Sequence, residues 1–519
     1  MHRVAIDPVR RAVTNDIEHS GPGPRVAFLS AEVAPLAKVG GLGDVAGSLP
    51  LALQRAGAGM LVVMPRYGSI DVERYGIEET GIKTTVELGE RTHTLHVLRG
   101  QLHGTVPLLL LDNPDLFGDP RVYMDERDRE RFFFFSRAAL DAVPAAGFHF
   151  DVLHCNDWHS GMAITWHRRL RARDPERAGQ VSIITIHNVA HQGITNVDYA
   201  RHLGYPVHSL LDVERARYPD TINVLARAID NADLVTTVSP SYAEELQTPA
   251  FGNGIDPLLR RRAGNLHGIL NGIDVEFFNP ATDPHIPARY SLNDLSSKAV
   301  CKRSLQEEAG LTIDPAVPLI GVVSRLDDQK GLNLIVNALD RMLTAGAQFV
   351  ALGTGDPRHE EALAAAGRRF PMSAGIFLKF DAALAQRIYA GSDLFLMPSR
   401  FEPCGLGQMI AMRYGTIPVV RKTGGLADTV TEWDARTGNG NGFLFTEYDA
   451  QALAEAVERS LTVYRVSPHW QQLIRNAMGT DVSWARSARE YLQVYNLARQ
   501  AGGHVDLDTV KGDRGRYGR

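Results

Sequence analysis

Cysteine is scarce in this 519-residue chain, and its scarcity argues against two classes of fold. The three cysteines, Cys155, Cys301 and Cys404, are far apart and form no CxxC pair. A disulfide framework needs more cysteines, and a structural zinc site needs closely spaced ones. The sequence therefore fits a reducing compartment, and we expect a cytoplasmic protein.

Long apolar runs and an excess of basic residues are also missing. Apolar stretches such as 106–111 and 394–397 are far shorter than the ~20 residues that a membrane helix needs. Lys and Arg number 55 against 60 Asp and Glu, a net charge of −5, whereas nucleic-acid binding depends on a concentrated basic surface. We therefore expect neither a membrane nor a nucleic acid among the partners.

The pattern that is present alternates β-branched runs with amphipathic windows, which is typical of parallel α/β folds. Residues 1–24 carry charges and close on Gly-Pro-Gly-Pro, so we predict a disordered extension and not a signal peptide. The segment 84–112 favours an antiparallel insertion, and the Phe132–Phe135 run is typical of helix core packing. The strand-like runs are 25–30, 60–64, 151–154, 181–186 and 234–238, then 318–323, 348–352, 375–380, 393–398 and 417–420.

A segment dense in Gly, Asn and Pro, 265–280, separates the two halves and predicts a hinge. The pattern thus predicts two doubly wound domains with a cleft between them, 25–268 and 269–483, followed by a helical window from Trp484 to Arg499 and a polar tail.

The first strand–helix junction holds a glycine-rich loop beside Lys38. Glycines permit close backbone approach, and the N–H groups of a helix start attract phosphate. Gly41-x-Gly43-x-x-Ala46 also fits a relaxed dinucleotide-binding fingerprint. That fingerprint requires an acidic residue at the end of the second strand to bind the ribose. That strand closes with Pro65 and Arg66, so the loop favours another phosphorylated ligand over NAD.

In the second half, Arg325 and Lys330 follow the first strand directly. A guanidinium and an ammonium at a strand's carboxyl end suit a diphosphate, although solvated charges beside a helix start are the alternative. Farther on, Glu402 precedes Gly405 and Gly407, which permit close approach of a ligand, so its carboxylate could accept sugar hydroxyl groups. A helix N-cap is the alternative for Glu402.

Polar residues also end two strands of the first half. Asp157 closes one, and His187 and Asn188 close another, so we expect them to face a cleft. The spacing from His187 to His191 resembles a zinc helix, but the Glu of HExxH is missing. We therefore expect no metal. Cys404 is expected to pack and not to act as a nucleophile, because no base is evident near it.

Ten motifs in sequence resemble bacterial glycogen synthase and plant starch synthase over residues 25 to 500. They are KVGGLGDV (38–45), VVMPRYG (62–68), HCNDWH (154–159), TIHNVAHQG (185–193), VSPSYAEE (238–245), ILNGID (269–274), SRLDDQKG (324–331), GTGDP (353–357), SRFEPCGL (399–406) and TGGLADT (423–429). The resemblance implies a GT-B fold, two Rossmann-like domains facing across a deep cleft. It also implies that 484–519 forms a helix packing back on the first domain plus a frayed tail.

The resemblance implies a retaining glucosyltransferase that moves glucose from ADP-glucose to the non-reducing end of an α-1,4-glucan or maltooligosaccharide, without a required metal or cofactor. It assigns the diphosphate cations to Lys38, Arg325 and Lys330, the backbone cradle to Gly40 and Gly41, and a second phosphate contact to Thr423, Gly424 and Gly425. The catalytic or donor-glucose contacts are His187, Glu402 and Asp157. Weaker sugar contacts are Asp44 and Asn188, and Phe380 is the neighbour of the adenine. The loop Cys404, Gly405, Leu406 and Gly407 is expected to line the donor site.

Three departures from the family pattern bear on donor binding. Gly407 stands where Thr or Asn is usual, which removes a side-chain hydrogen bond to phosphate. Asp327 and Asp328 stand where one Thr is commoner and add negative charge, and His191 replaces a Tyr. Each affects the expected donor affinity or donor choice.

Several alternatives stay open at this point. Retention requires attack on the face that the diphosphate leaves, or a covalent carboxylate intermediate; we favour same-face attack with the departing phosphate as base. UDP-glucose or a small acceptor is an alternative within transferases. A glucan- or nucleotide-binding protein without catalysis and an NADP-dependent oxidoreductase are the rivals from other classes. The oligomeric state is not readable from the sequence.

Overall fold

The computed structural model describes residues 22–502, except Tyr218, and divides them into two compact units. Unit 1 contains residues 22–237, 246–267 and 488–502, and unit 2 contains residues 238–245 and 268–487. Most of the segment 1–24, which was predicted to be disordered, therefore lies outside the described residues. The predicted frayed tail lies almost entirely outside them too. The predicted domain limits stay predictions, because a unit is a set of mutually contacting residues and not a segment shown to fold alone.

Unit 1 is built on a nine-stranded sheet. The strands from the amino-terminal part of the chain are β1 (Arg25–Leu29), β2 (Gly59–Pro65), β3 (Glu78–Leu88), β4 (Arg91–Leu102), β5 (Val106–Asp112), β6 (Val152–Asn156), β7 (Val181–Ile186), β8 (Ile194–Asn196), β9 (Thr221–Asn223), β10 (Leu234–Thr237) and β11 (Leu266–Gly268). The sheet order is β11-β10-β7-β6-β1-β2-β5-β4-β3, while β8 and β9 form a separate antiparallel pair.

The helices along this part of the chain are α1 (Gly41–Arg55), α2 (Pro114–Phe117), α3 (Asp128–Ala145), α4 (Asp157–Arg171), α5 (Val197–His202), α6 (Asp212–Arg217), α7 (Val224–Asn231), α8 (Pro240–Glu245) and α9 (Asp256–Arg261). The run Phe132–Phe135 lies in α3 with each side chain at most 1% exposed, which confirms the core-packing prediction. Helix α1 starts at Gly41, inside the glycine-rich loop.

Unit 2 is built on a six-stranded sheet in which every neighbouring pair is parallel. Its strands are β12 (Leu319–Val323), β13 (Gln348–Leu352), β14 (Ala374–Phe377), β15 (Leu394–Met397), β16 (Ile417–Arg421) and β17 (Phe443–Phe445). The helices of the second half are α10 (Lys298–Glu308), α11 (Leu332–Thr344), α12 (Pro357–Arg369), α13 (Ala382–Gly391), α14 (Gly407–Arg413), α15 (Gly424–Thr429), α16 (Ala450–Tyr464), α17 (Ser467–Gly479) and α18 (Trp484–Gly502).

Both sheets have the strand order of a doubly wound fold. In unit 2 the order β14-β13-β12-β15-β16-β17 reads 3-2-1-4-5-6 along the chain, and the parallel strands β5-β2-β1-β6-β7-β10 of unit 1 read the same way. The α/β, doubly wound prediction is confirmed. The predicted antiparallel insertion is correct for β3 and β4, but β5 pairs parallel to β2.

Each order reverses at one point, and that point fixes where a ligand site is expected. The reversal lies between β1 and β6 in unit 1 and between β12 and β15 in unit 2. Loops that leave the carboxyl ends of two such strands diverge to opposite faces of the sheet and open a crevice, where ligands of doubly wound proteins bind.

Candidate functional site

The switch point of unit 1 carries the glycine-rich loop, which an internal carboxylate holds in place. The buried Glu32 follows β1, and its Oε2 accepts hydrogen bonds from the N–H groups of Val39 at 2.6 Å and Gly40 at 2.8 Å. Its Oε1 accepts a hydrogen bond from the Tyr123 hydroxyl at 2.5 Å. The Gly40 N–H predicted for a phosphate cradle is thus already bound within the unit, which fixes the loop that leads into Gly41 and α1.

Lys38, at the head of the same loop, is paired with an acid. Its Nζ lies 2.6 Å from Oδ1 of Asp44, and both side chains are partly exposed. Burial raises the pKa of Asp44, and the ammonium of Lys38 opposes that rise. The structure therefore brings together the predicted cation and one of the predicted sugar contacts.

Asp157 follows β6, on the other side of this switch point. It is buried and has a left-handed backbone with φ of 52°. Its Oδ1 accepts the His187 N–H at 2.8 Å, and its carboxylate also accepts a backbone hydrogen bond from Asn188. Burial raises the pKa of Asp157 to about 7, against the effect of these hydrogen bonds. The group consequently changes charge near neutral pH.

His187 follows β7, the neighbour of β6, and lies against the same loop. Its Nε2 is 2.8 Å from Oδ1 of Asn156, and burial lowers its pKa to about 3. The imidazole is therefore neutral at physiological pH and can exchange hydrogen bonds without adding charge. Three predicted residues, Asp157, His187 and Asn188, are thus close together at the carboxyl ends of β6 and β7.

The switch point of unit 2 holds a buried ion pair. Lys330 closes a short 3-10 turn after β12, and Glu402 lies on the loop after β15. The Lys330 Nζ is 2.7 Å from Glu402 Oε2, which also accepts the Ser399 hydroxyl at 2.9 Å. The carboxylate is 7% exposed and the lysine side chain 19% exposed. Two residues predicted to act on one ligand are therefore in direct contact.

Arg325 and the two unusual aspartates surround this turn. The side chain of Arg325 is 66% exposed and lies 3.3 Å from Oδ2 of Asp327. Asp327 also accepts the Lys330 N–H at 3.1 Å, and Asp328 pairs with His359 at 2.8 Å. The acids that depart from the family pattern therefore cap and anchor the turn.

The loop after Glu402 packs tightly. Cys404 is buried, and burial raises the pKa of its thiol to about 12, which agrees with a packing role and not with a nucleophile. Gly407 begins α14, and a Cβ atom there would lie 3.1 Å from the Phe395 ring and 3.2 Å from the Met397 sulfur. The glycine that replaces the usual Thr or Asn fits the small space beside Phe395. Gly405 has a left-handed φ of 75°, and Leu406 is the N-cap of α14.

The second glycine pair has immediate partners other than the predicted phosphate. Thr423 is 1% exposed, and its hydroxyl and the Gly424 N–H each lie 2.9 Å from Oε1 of Glu245. The Gly425 N–H donates to the Glu402 carbonyl at 3.1 Å. Within unit 2, the donors that the sequence assigned to a ligand are used to join three segments of the chain.

Phe380 lies apart from the other predicted residues of unit 2. It is 91% exposed and follows the edge strand β14, two strands away from β12. No hydrogen bond or ring contact between Phe380 and the Lys330–Glu402 pair is found among the described residues. Its predicted place beside the adenine stays a prediction.

Sequence reasoning missed the carboxylates that organise these loops. Glu32 stands three residues beyond the end of the buried strand β1, a position that could have suggested a role. Glu245 closes the motif 238–245, which did not indicate an acceptor role, and the Tyr123 hydroxyl carries no local signal. Within 22–502, no group of three or more His, Cys, Asp and Glu residues could hold a metal ion. None of the described helices is long and apolar enough to cross a membrane.

Comparisons with known proteins give consistent results over nearly the whole chain. Residues 25–261 match the family model described as starch synthase catalytic domain, and residues 305–478 match glycosyl transferases group 1. A glycogen synthase of Anaeromyxobacter dehalogenans is 45% identical over 91% of this chain and 98% of the relative. One from Pseudothermotoga lettingae is 42% identical over 91% of this chain and 99% of the relative.

A solved structure agrees with these sequence relatives. The catalytic domain of starch synthase IV from Arabidopsis thaliana, bound to ADP and acarbose, superposes with a TM-score of 0.86 at 35% identity. The alignment covers 92% of this chain and all of that one. The likeness therefore extends across both doubly wound units.

Proposed function

The chain belongs to the glycogen and starch synthase family of glycosyltransferases, and on that premise we propose how its residues carry out glucosyl transfer. The GT-B prediction, with two Rossmann-like domains, is confirmed by the likeness to starch synthase IV. The enzyme transfers glucose from ADP-glucose to the non-reducing end of an α-1,4-glucan. The relative bound to ADP and acarbose supports an adenine nucleotide as donor and a glucan or maltooligosaccharide as acceptor. The scattered buried cysteines support a cytoplasmic location.

The observation that carries the residue assignment is the position of the charged groups at the two switch points. Breaking the sugar–phosphate bond develops positive charge at the anomeric carbon and negative charge on the departing diphosphate. Arg325 and Lys330, after β12, supply fixed positive charge for the departing group. Preorganised charge of this kind stabilises the transition state more than water does. In unit 1, Lys38 and the N–H of Gly41 are the groups assigned to donor phosphate.

Polar groups of each unit have separate tasks in this proposal. Glu402 accepts donor hydroxyl groups while its Oε2 stays bound to Lys330 and Ser399. The neutral His187 hydrogen-bonds the donor glucose, and Asp44 and Asn188 contribute weaker sugar contacts. Ionised Asp157 stabilises positive charge that develops on the sugar. Attack on the face that the diphosphate leaves, with the phosphate as base, accounts for retention without a carboxylate nucleophile.

An assay of nucleotide release tests this proposal. The protein is incubated with ADP-glucose or UDP-glucose and short maltooligosaccharides, while ADP or UDP release and chain lengthening are followed together. We expect ADP release matched by lengthening, with slower release from UDP-glucose. Donor binding without release would favour a non-catalytic binding protein, and lengthening from UDP-glucose alone would overturn the donor assignment.

A further inference from the structure

The family-like motif 238–245 has no role in the proposed reaction. Residues 238–245, VSPSYAEE, contain α8 and group with unit 2, although residues 237 and 246 on either side group with unit 1. We call this stretch the clasp segment. Its side chains bond within unit 2 to the loop that follows β15, to the turn that follows β16 and to α15.

Three side chains of the clasp segment make these contacts. The Ser239 hydroxyl donates to the Pro403 carbonyl at 2.7 Å. Ser241 donates from its N–H and its hydroxyl to the Asp428 carboxylate at 2.8 and 2.7 Å. Glu245 accepts the Thr423 hydroxyl and the Gly424 N–H, both at 2.9 Å. The clasp segment therefore binds the loop that carries Glu402 and the neighbouring segment 423–428.

The path from Glu245 to Glu402 is short and rigid. Gly424 has a left-handed φ of 44°, and a Cβ atom there would lie 2.0 Å from the Glu402 carbonyl oxygen. The Gly425 N–H also donates to that carbonyl. The two backbones are thus in direct contact, and a displacement of 423–425 displaces Glu402 because close-packed interiors leave no slack.

Loss of the Glu245 carboxylate would leave two donors without their acceptor. Thr423 and Gly424 are both buried, and a buried donor without a partner is costly enough to make its turn rearrange. The Glu402 carboxylate, which holds the Lys330 ammonium at 2.7 Å, lies at the end of this path.

We propose that Glu245 is a positioning residue for catalysis, which sets the Glu402–Lys330 pair through Thr423 and Gly424. This inference rests on the proposed glucosyl transfer, since its readout is turnover. In this proposal Glu245 acts through Thr423 and Gly424 and not by contact with the donor or the acceptor. Its effect therefore requires Glu402 to be present.

The first experiment compares Glu245→Ala and Glu245→Gln with Glu244→Ala. Glu244 is the exposed neighbour on α8, so its variant removes the same charge without touching Thr423 or Gly424. We expect kcat to fall about 10-fold to 100-fold in Glu245→Ala, the range that misplacement of a catalytic group by about 1 Å produces. Glu245→Gln, which keeps an acceptor oxygen, should lose less, and Glu244→Ala should match the parent. KM for maltooligosaccharide should change little.

The second experiment separates positioning from general destabilisation. Glu245→Ala is introduced into a Glu402→Gln background, and the change in kcat is compared with that in the parent. If Glu245 acts through Glu402, Glu245→Ala lowers kcat little further in the Glu402→Gln background. The inference would be overturned if Glu245→Ala lowered kcat by the same factor in both backgrounds. An unchanged kcat in Glu245→Ala alone would overturn it as well.

Two readouts keep the inference distinct from the proposed function. No nucleotide release from the parent and Glu244→Ala would reject glucosyl transfer itself. Should Glu245→Ala fail to fold, Glu245→Gln carries the same comparison, because it removes the charge that the Thr423 hydroxyl and the Gly424 N–H bind. A parent-like kcat in Glu245→Gln would then reject the positioning role.

Discussion

The ammonium of Lys330 lies 2.7 Å from the carboxylate of Glu402, across the switch point of the six-stranded sheet. The two residues are 72 positions apart in the sequence, yet each follows one of the two central strands, β12 and β15. The pair joins the group proposed to stabilise a leaving diphosphate to the group proposed to bind sugar hydroxyls. On that proposal, a change in either member affects both.

Lys330→Ala and Arg325→Ala should both slow turnover but differ in their effect on stability. Removing one stabilising contact to the leaving group typically costs about 10²–10³ in kcat. Lys330→Ala also leaves the buried Glu402 without its cation, a loss of the kind that costs about 3–5 kcal/mol. Arg325 is largely exposed, and its loss should cost less than about 1 kcal/mol. Initial rates and thermal unfolding of the same preparations measure the two effects.

Arg341→Ala is the matched control, because Arg341 forms an exposed ion pair with Glu458 in the same unit. It should leave turnover unchanged. Near-normal rates in both Lys330→Ala and Arg325→Ala would reject their assignment to the diphosphate.

Asp157 should give turnover a pH dependence centred near 7. Burial raises its pKa to about 7, so the ionised form predominates only above that value. If the ionised form stabilises charge on the sugar, kcat rises with pH through 7, and Asp157→Asn removes that inflection while lowering the plateau. The half-buried Asp141 gives a control, since the Asp141→Asn variant should keep the inflection near pH 7. If the inflection persists in Asp157→Asn, it belongs to another group.

The same shift fixes a sign for stability. Because the folded-state pKa lies above the ordinary value of 3.8, the folded state binds more protons than the unfolded chain between these limits. The contribution of Asp157 to the free energy of unfolding therefore falls as pH rises from about 4 to about 7. Denaturant titrations of Asp157→Asn should lack this component.

His154 should act in the opposite direction. It is fully buried, with Nδ1 2.7 Å from the Tyr495 hydroxyl and Nε2 2.6 Å from the Thr185 hydroxyl. Burial lowers its pKa to about 3, so its contribution to stability is complete above about 6.5 and is lost as pH falls toward 3. Between pH 6.5 and 5 the loss should reach about 2 kcal/mol.

Denaturant titrations at pH 7.5, 6 and 5 measure this slope. His154→Gln should flatten it, whereas the exposed His149 offers a variant, His149→Gln, that should retain it. Equal slopes in all three proteins would show that His154 does not titrate differently on unfolding.

The strand pattern of this chain was predictable because buried parallel strands are short, continuous apolar runs. Residues 181–186 and 348–352 were predicted with the bounds that the structure gives β7 and β13. The edge strand β17, with only three residues, is too short for periodicity to mark it. The parallel pairing of β5 depends on a neighbour, β2, that local sequence does not reveal.

The candidate site was predictable as a set of residue types but not as a set of contacts. Cations and acids that follow buried strands were found because strand ends are visible in the sequence. Glu245 was missed because its acceptor role depends on Thr423, 178 residues away. The glycines at 424 and 425 resembled a ligand loop, yet Gly424 at least is needed where its backbone meets that of Glu402.

Every cation assigned to the donor phosphates has a carboxylate beside it: Asp44 for Lys38, Asp327 for Arg325 and Glu402 for Lys330. A tethered carboxylate competes at high effective concentration, so a simple ion such as chloride or inorganic phosphate gains little at these positions. A ligand that offers several oxygens at once can displace the carboxylates from the cations or bind the cations beside them. If the donor phosphates bind these three cations, the internal acids give selectivity for anions that offer several oxygens. They then also reduce the dependence of donor affinity on ionic strength, because one bound anion replaces another.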